Sequence, residues 1–197
     1  MQTYDEVMKG VKQTTKFPEA IAGTSGLLSR PEAEWLNRIP RALGSGLYVE
    51  LGTFRGRSAC LLTDSIQYLP NSKLITVDLF DQRLIRGKFK YKHTDLYDHV
   101  VEIFKSKGFD KYIEIVKAHT AEAAALFDRS FIFLFIDADH SYEGVRADFD
   151  AWSDKLLPGG IVAFHDSNLD GVAKFHSEIN RWEEFDRVDT LSVWRRK

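Results

Sequence analysis

The sequence predicts an α/β fold: a three-layer α/β/α sandwich around a mostly parallel seven-stranded sheet that finishes in a C-terminal antiparallel hairpin. Three observations carry this expectation. Short, near-continuous apolar runs recur along the chain, as strands buried on both faces do. Amphipathic helical stripes lie between them, the order of right-handed β-α-β crossovers. The first apolar run ends in an acid and then breaks into a turn with two glycines, Glu50-Leu51-Gly52-Thr53-Phe54-Arg55-Gly56.

Each element follows in order. Residues 1–46 precede the alternation and read as a helical cap segment, with one helix over residues 4–12 and another beginning near Pro31, a favoured first-turn residue, with Ser29 or Arg30 in the cap region. The loop Gly23-Thr24-Ser25-Gly26 separates them. The core, residues 47–197, opens with the strand that ends at Glu50, and the helix after it carries Ala59, Leu62, Ile66 and Leu69 on one face. Further strands are expected at residues 73–79 (KLITVDL), 112–118 (YIEIVKA), 131–137 (FIFLFID) and 160–165 (GIVAFH). Between and after them run the stripes Leu96, Val100, Ile103 and Phe104; Tyr142, Val145, Phe149, Trp152 and Leu156; and Val172, Phe175, Ile179 and Trp182. Residues 185–188 and 190–195 are too close for a helix between them and read as an edge hairpin. Residues 81–94, with Arg83, Arg86, Lys88, Lys90, Lys92 and His93, read as a solvated loop, a lid being the alternative.

Composition bounds the function. A chain of 197 residues, 44% hydrophobic, supplies one packed core and hence a single domain over 1–197. A net charge of −2 gives no sign of general nucleic-acid affinity. Cys60 is the one cysteine, so no internal disulfide forms and a reducing compartment suits the chain. The first residues lack the apolar core of a signal peptide, and no apolar run approaches the ~20 residues of a bilayer span. The expectation is a cytoplasmic protein with neither membrane nor nucleic acid as partner.

Ligands of open α/β sheets bind outside the carboxyl ends of the strands. Those ends hold Glu50 and Gly52; Asp78, placed as a ribose-binding acid; His119-Thr120-Ala121; Asp137-Ala138-Asp139-His140; and His165-Asp166-Ser167. The strand bodies are almost wholly apolar, so ionisable groups gathered at the tips point to a site. Ser141 and Thr120 also suit helix caps. The glycines of the first turn allow close backbone approach, and the helix N-terminus offers free N–H groups. The spacing is E-x-G-x-x-x-G rather than the dinucleotide G-x-G-x-x-G, and an acid ahead of the glycines suits a cation such as an amino-acid ammonium group.

These motifs resemble the class I S-adenosylmethionine-dependent methyltransferases, and within them the small-molecule O-methyltransferases of macrolide-sugar and catechol type. The matching segments are VELGTFRGRS, TVD, FIDADHSYEGVRADFDAW, LLPGG and FHD, over residues 48–167. The resemblance implies a Rossmann-like core and S-adenosyl-L-methionine as cofactor. It implies that Glu50, Gly52, Thr53, Gly56, Arg57 and Ser58 cradle the methionine part, that Asp78 takes the ribose, and that Thr120 and Ala121 lie near the adenine. Asp137 matches a metal-binding acid and His140 the histidine general base. His165 and Asp166 stand at the remaining metal positions, where the sugar enzymes carry two acids and the catechol enzymes Asp-Asn. A histidine there leaves fewer oxygen ligands for magnesium and admits manganese or zinc.

Methyl transfer from a sulfonium is an in-line displacement that needs an oriented, deprotonated hydroxyl. A histidine can take that proton near neutral pH, and a divalent metal would lower the hydroxyl's pKa. The expected acceptor is a small molecule such as a sugar, with a homo-oligomer open as an assembly. Three other readings compete: a nicotinamide-dependent oxidoreductase, against which the missing G-x-G-x-x-G argues; a cofactor-binding scaffold without turnover; and a nucleic-acid methyltransferase, for which the basic stretch is short.

Overall fold

The computed structural model describes Met8, residues 20–81 and residues 95–197. The helix expected over residues 4–12, Met8 apart, and the basic stretch at 82–94 lie outside the described residues. Among these, the elements are α1 (Arg30–Leu43), β1 (Leu47–Leu51), α2 (Arg57–Ile66), β2 (Lys73–Asp78), α3 (Leu96–Ser106), β3 (Ile113–Lys117), α4 (Thr120–Ala125), β4 (Phe131–Ile136), α5 (Tyr142–Trp152), β5 (Leu156–Phe164), α6 (Asp170–His176), β6 (Trp182–Val188) and β7 (Leu191–Arg196). No helix among the described residues is long and apolar enough to cross a membrane.

The seven strands form one sheet in the order β3-β2-β1-β4-β5-β7-β6. The first five are parallel, and β7 runs antiparallel between β5 and β6. The expected fold is therefore the observed one. The chain starts at the centre, winds outward to β3 and returns past β1 to β4, which puts the topological switch point between β1 and β4.

Period-two alternation sends successive strand residues to opposite faces, and each face buries its own core. Tyr48, Phe133 and Phe135 pack with Leu36, Ile39, Leu61, Leu62 and Phe104 on the side of α1, α2 and α3. Val49, Leu51, Leu134 and Phe164 pack with Val145, Phe149, Trp152 and Phe175 on the side of α5 and α6. The helix starts follow local chemistry. Ser29 caps α1 in a capping box: its hydroxyl accepts the Glu32 N–H at 3.3 Å, and the Glu32 carboxylate accepts the Ser29 N–H at 2.8 Å. Ser141 caps α5 by accepting the Gly144 N–H at 3.0 Å.

Two assignments change at element ends. Leu156 falls on the helical stripe of α5 in the sequence, but that helix stops at Trp152, and Leu156 opens β5 opposite Phe131. Trp182 falls on the stripe of α6, but α6 stops at His176, and Trp182 begins β6 with its ring 5.2 Å from Phe149. In both cases the next strand buries its first apolar residue on the face the helix was already covering. The hydrophobic period therefore continues past the point where the backbone changes.

The β1 and β4 tips meet at Gly52. Its φ is +95°, and a Cβ there would stand 2.2 Å from the Asp137 carbonyl oxygen and 2.9 Å from the Ala138 Cα. The glycine expected to admit a ligand is thus required by another strand's backbone. Gly52→Ala is expected to cost at least ~3 kcal/mol in urea unfolding, as clash and left-handed strain add. Gly108→Ala, at φ +69° after α3 with no atom within 4 Å of the added methyl, is expected to cost only about 1 kcal/mol, the strain alone. Equal losses at the two positions would show that packing does not demand Gly52.

Candidate functional site at the strand tips

The tips of β2, β1, β4 and β5 stand side by side, joined beyond their ends by backbone bonds: Gly52 N–H to the Val77 carbonyl at 2.9 Å, Asp137 N–H to Leu51 at 2.8 Å, and His165 N–H to Ile136 at 3.1 Å. The switch point thereby collects Glu50, Asp78, Asp137, His140, His165 and Asp166. Thr120 and Ala121 lie at the start of α4, beyond β3.

Asp78 organises the glycine turn. One carboxylate oxygen accepts the N–H of Thr53 at 2.9 Å and of Phe54 at 2.8 Å, and the other accepts the Phe80 N–H at 2.6 Å. Phe54 and Phe80 both have positive φ, 46° and 53°. A carboxylate offers about four acceptor sites, so capacity remains for a ribose hydroxyl. Arg57 is different from the expectation. As the first residue of α2 it projects back along the helix, donates to the Thr24 carbonyl at 3.4 Å and covers Gly26, so only its backbone belongs to the turn.

Glu50 is fully buried, on the face that Tyr48 shares with α1 and α2. Oε2 accepts a hydrogen bond from the Thr76 hydroxyl, while Oε1 has no hydrogen-bond partner. Burial pushes the carboxyl up to about 8, although the hydroxyls of Ser58 and Thr76 pull the other way. Near neutral pH burial therefore favours the neutral acid. Once ionised, a buried carboxylate with one unfilled oxygen fits a group that brings a donor and a positive charge, as an ammonium does.

The second half of the site joins two acids and two histidines. His140 Nε2 lies 3.3 Å from Asp137 Oδ1 and 3.3 Å from Asp166 Oδ2. His165 Nδ1 lies 3.1 Å from Asp137 Oδ1 and 3.6 Å from Asp166 Oδ2. The other nitrogen of His165, Nε2, lies 3.4 Å from Glu32 Oε2, with both side chains buried. Burial opposes charge here, but the pairing outweighs it. His140 and His165 hold the Asp137 carboxyl below its usual range, and Asp137 and Glu32 carry His165 up to about 10. Glu32 is taken down to about 2 by His165, Thr190 and Ser29. The Asp137 hydrogen bond raises His140 above the ordinary imidazole value. The donor atoms of Asp137, His140, His165 and Asp166 all lie within 4.8 Å of one another. Mixed nitrogen and carboxylate donors at this spacing fit a divalent metal of the transition series.

Thr120 is neither the helix cap nor a free hydroxyl. His119 takes the cap position of α4, the Thr120 hydroxyl donates to buried Asp148, and its carbonyl accepts the Trp152 indole N–H at 2.8 Å. Glu32 joins the site although the sequence does not place it there. Its only sequence signal is Ser29-Arg30-Pro31-Glu32, a capping box, which marks a helix start and says nothing about a distant strand tip.

Residues 49–167 match the family model described as a methyltransferase domain. Three solved structures share the fold across nearly the whole chain. The O-methyltransferase TomG from Streptomyces achromogenes, in complex with SAM, is 15% identical, with a TM-score of 0.68 over 95% of this chain and 92% of that one. The SAH-bound methyltransferase PaMTH1 of Podospora anserina is 14% identical, with 0.70 over 97% and 92%. The O-methyltransferase from Bacillus cereus in complex with SAH is 14% identical, with 0.66 over 94% and 90%. An uncharacterised protein of Sinorhizobium fredii, y4gI, is 34% identical over 67 residues, which are 32% of this chain and 7% of that protein.

The state of Glu50 is measurable by its pH signature. The folded protein keeps this proton up to about pH 8, whereas an unperturbed glutamate releases it near 4.5. Between those values the fold binds more protons than the unfolded chain, so this group makes stability fall as pH rises. Glu50→Gln, which mimics the neutral acid, should be nearly silent at about pH 5. Above about pH 8 it should raise the melting temperature by at least ~3 °C, the worth of ~1 kcal/mol in a chain of this length. Parallel pH slopes in the two proteins would show that Glu50 is ionised in the fold.

Proposed function

The chain belongs to the methyltransferase domain family, and from that premise we propose that it is an S-adenosylmethionine-dependent O-methyltransferase acting on a hydroxyl of a small molecule, such as a sugar or another natural product. The observation that carries this reading is the polar edge at the switch point, where a buried acid with one unfilled oxygen, a carboxylate-braced glycine turn and a His–Asp cluster lie side by side. The SAM and SAH complexes of the structural relatives support the same donor. The missing dinucleotide spacing weighs against a nicotinamide enzyme, and the His–Asp cluster against a scaffold without turnover. A cytoplasmic location fits a chain whose one cysteine, Cys60, is free and buried.

S-adenosylmethionine supplies an electrophilic methyl on a sulfonium. Glu50 and the Gly52–Ser58 turn would hold its methionine part, Asp78 the ribose, and Thr120 with Ala121 the adenine end. Ionisation of Glu50 would accompany capture of the ammonium. A divalent ion held by Asp137, His165 and Asp166 would lower the pKa of an acceptor hydroxyl. His140, about one-third exposed beside both carboxylates, is the group placed to take the hydroxyl proton, and because Asp137 raises its pKa it serves as base only at a higher pH than an ordinary imidazole would.

Calorimetry is expected to show S-adenosylhomocysteine binding with proton release at neutral pH, read from the dependence of the heat on buffer ionisation enthalpy. Glu50→Gln should abolish that release. Asp78→Ala should weaken binding at least ~10-fold, or ~1.4 kcal/mol, since it removes both the ribose acceptor and the brace of the turn. Tight NADH binding with none of the sulfur cofactor would overturn the reading. With an acceptor in hand, His140→Ala should leave cofactor affinity nearly intact and lower turnover by ~10²–10⁴-fold. A folded variant turning over at the wild-type rate would remove His140 from the mechanism.

A further inference from the structure

We propose that Glu32, on the cap helix α1, positions His165 for a divalent transition-metal ion, a role that rests on reading the strand-tip cluster as a metal centre. An imidazole binds metal through one nitrogen only, and its other N–H needs an acceptor that fixes the tautomer and the ring plane. His165 meets that condition once a metal displaces the proton that Nδ1 shares with Asp137. Its Nε2 faces Glu32 Oε2 at 3.4 Å, which leaves Nδ1 turned toward Asp137 Oδ1 at 3.1 Å and Asp166 Oδ2 at 3.6 Å. Donors bound to one ion by bonds of about 2.0–2.2 Å stand about 2.9–3.6 Å apart, as His165 Nδ1 stands from the two carboxylate oxygens.

Glu32 is itself held still. Oε1 accepts the Thr190 N–H at 2.9 Å and the Thr190 hydroxyl at 2.7 Å, and Oε2 accepts the Ser29 N–H at 2.8 Å. Three donors from two separate parts of the chain thus hold the carboxylate against the far side of the ring. It stays an outer acceptor instead of swinging in as a ligand. The capping box that starts α1 supplies this acceptor, and the turn between β6 and β7 locks it. Magnesium prefers oxygen donors, whereas an oriented imidazole beside two carboxylates favours first-row transition ions. The arrangement therefore selects cobalt(II), manganese(II) or zinc(II) over magnesium, with Glu32 acting through His165 and touching no metal.

The test uses the full chain stripped with chelator and titrated with cobalt(II), read by visible ligand-field absorption and by competition with magnesium. Wild type is expected to bind cobalt with a defined spectrum that excess magnesium does not erase. Glu32→Gln should weaken cobalt binding ~10–100-fold and change the spectrum, with S-adenosylhomocysteine affinity unchanged. Thr190→Val, which removes one bond to Glu32 and leaves the ring untouched, should show a smaller loss in the same direction. It decides the matter if Glu32→Gln fails to fold. Wild-type affinity and spectrum in Thr190→Val and in any folded Glu32→Gln would overturn the proposal, as would a wild type that binds no cobalt or yields it to magnesium. Loss of S-adenosylhomocysteine binding in wild type would refute the methyltransferase reading while leaving the cobalt result to stand or fall separately.

Discussion

The site is built outward from the Asp78 carboxylate. Two non-glycine residues, Phe54 and Phe80, sit in left-handed backbone conformations on either side of it, each at a cost of ~1–3 kcal/mol. Charge-assisted bonds from Thr53, Phe54 and Phe80 offset that strain and fasten the β1–α2 turn to the end of β2. With the turn fixed, Gly52 lies against the Asp137 carbonyl, and the β4 tip takes its place from that contact. His165 follows through its N–H bond to Ile136. The geometry of four strand ends thus descends from one acid expected only to recognise a ligand.

The second organising feature is the contrast between strand bodies and strand ends. The bodies are apolar and pack two continuous cores, which makes unpaired charge expensive anywhere near them. The ends nevertheless gather Asp137, Asp166, His140 and His165, joined by Glu32 from α1. They are tolerated because each has an opposite partner within 3.6 Å. Buried ion pairs seldom repay their desolvation with much net stability. Their worth here is positional: they hold ring nitrogens and carboxylate oxygens at fixed places around a common point, and they bind the cap helix to the strand-tip edge of the sheet.

Much of the fold is legible in local sequence patterns. Leu96, Val100 and Phe104 recur with helical period, and α3 buries those residues. The FIFLFI run reads as a strand buried on both faces, and β4 is one. Leu156 and Trp182 escape this reading because periodicity reports which face is buried and is blind to the backbone carrying it. Arg57 escapes it because the glycine pattern locates a turn without saying which way a neighbouring side chain leaves it. Glu32 is invisible to it because 133 residues separate that acid from His165, and no local pattern encodes such a contact.

The sequence by itself determined the alternation of strands and helices, the edge of the sheet where polar groups collect, and the identity of the acids and histidines there. These follow from local quantities: hydrophobic period, turn chemistry and the chemical nature of each side chain. Only the tertiary structure decided that Glu50 is sealed from solvent, that Asp78 is a brace, and that Glu32 faces His165 while the other ring nitrogen faces Asp137 and Asp166. Those outcomes depend on desolvation and on hydrogen bonds between residues far apart in the chain, which arise only when the strands close into one sheet and the cap helix packs against it.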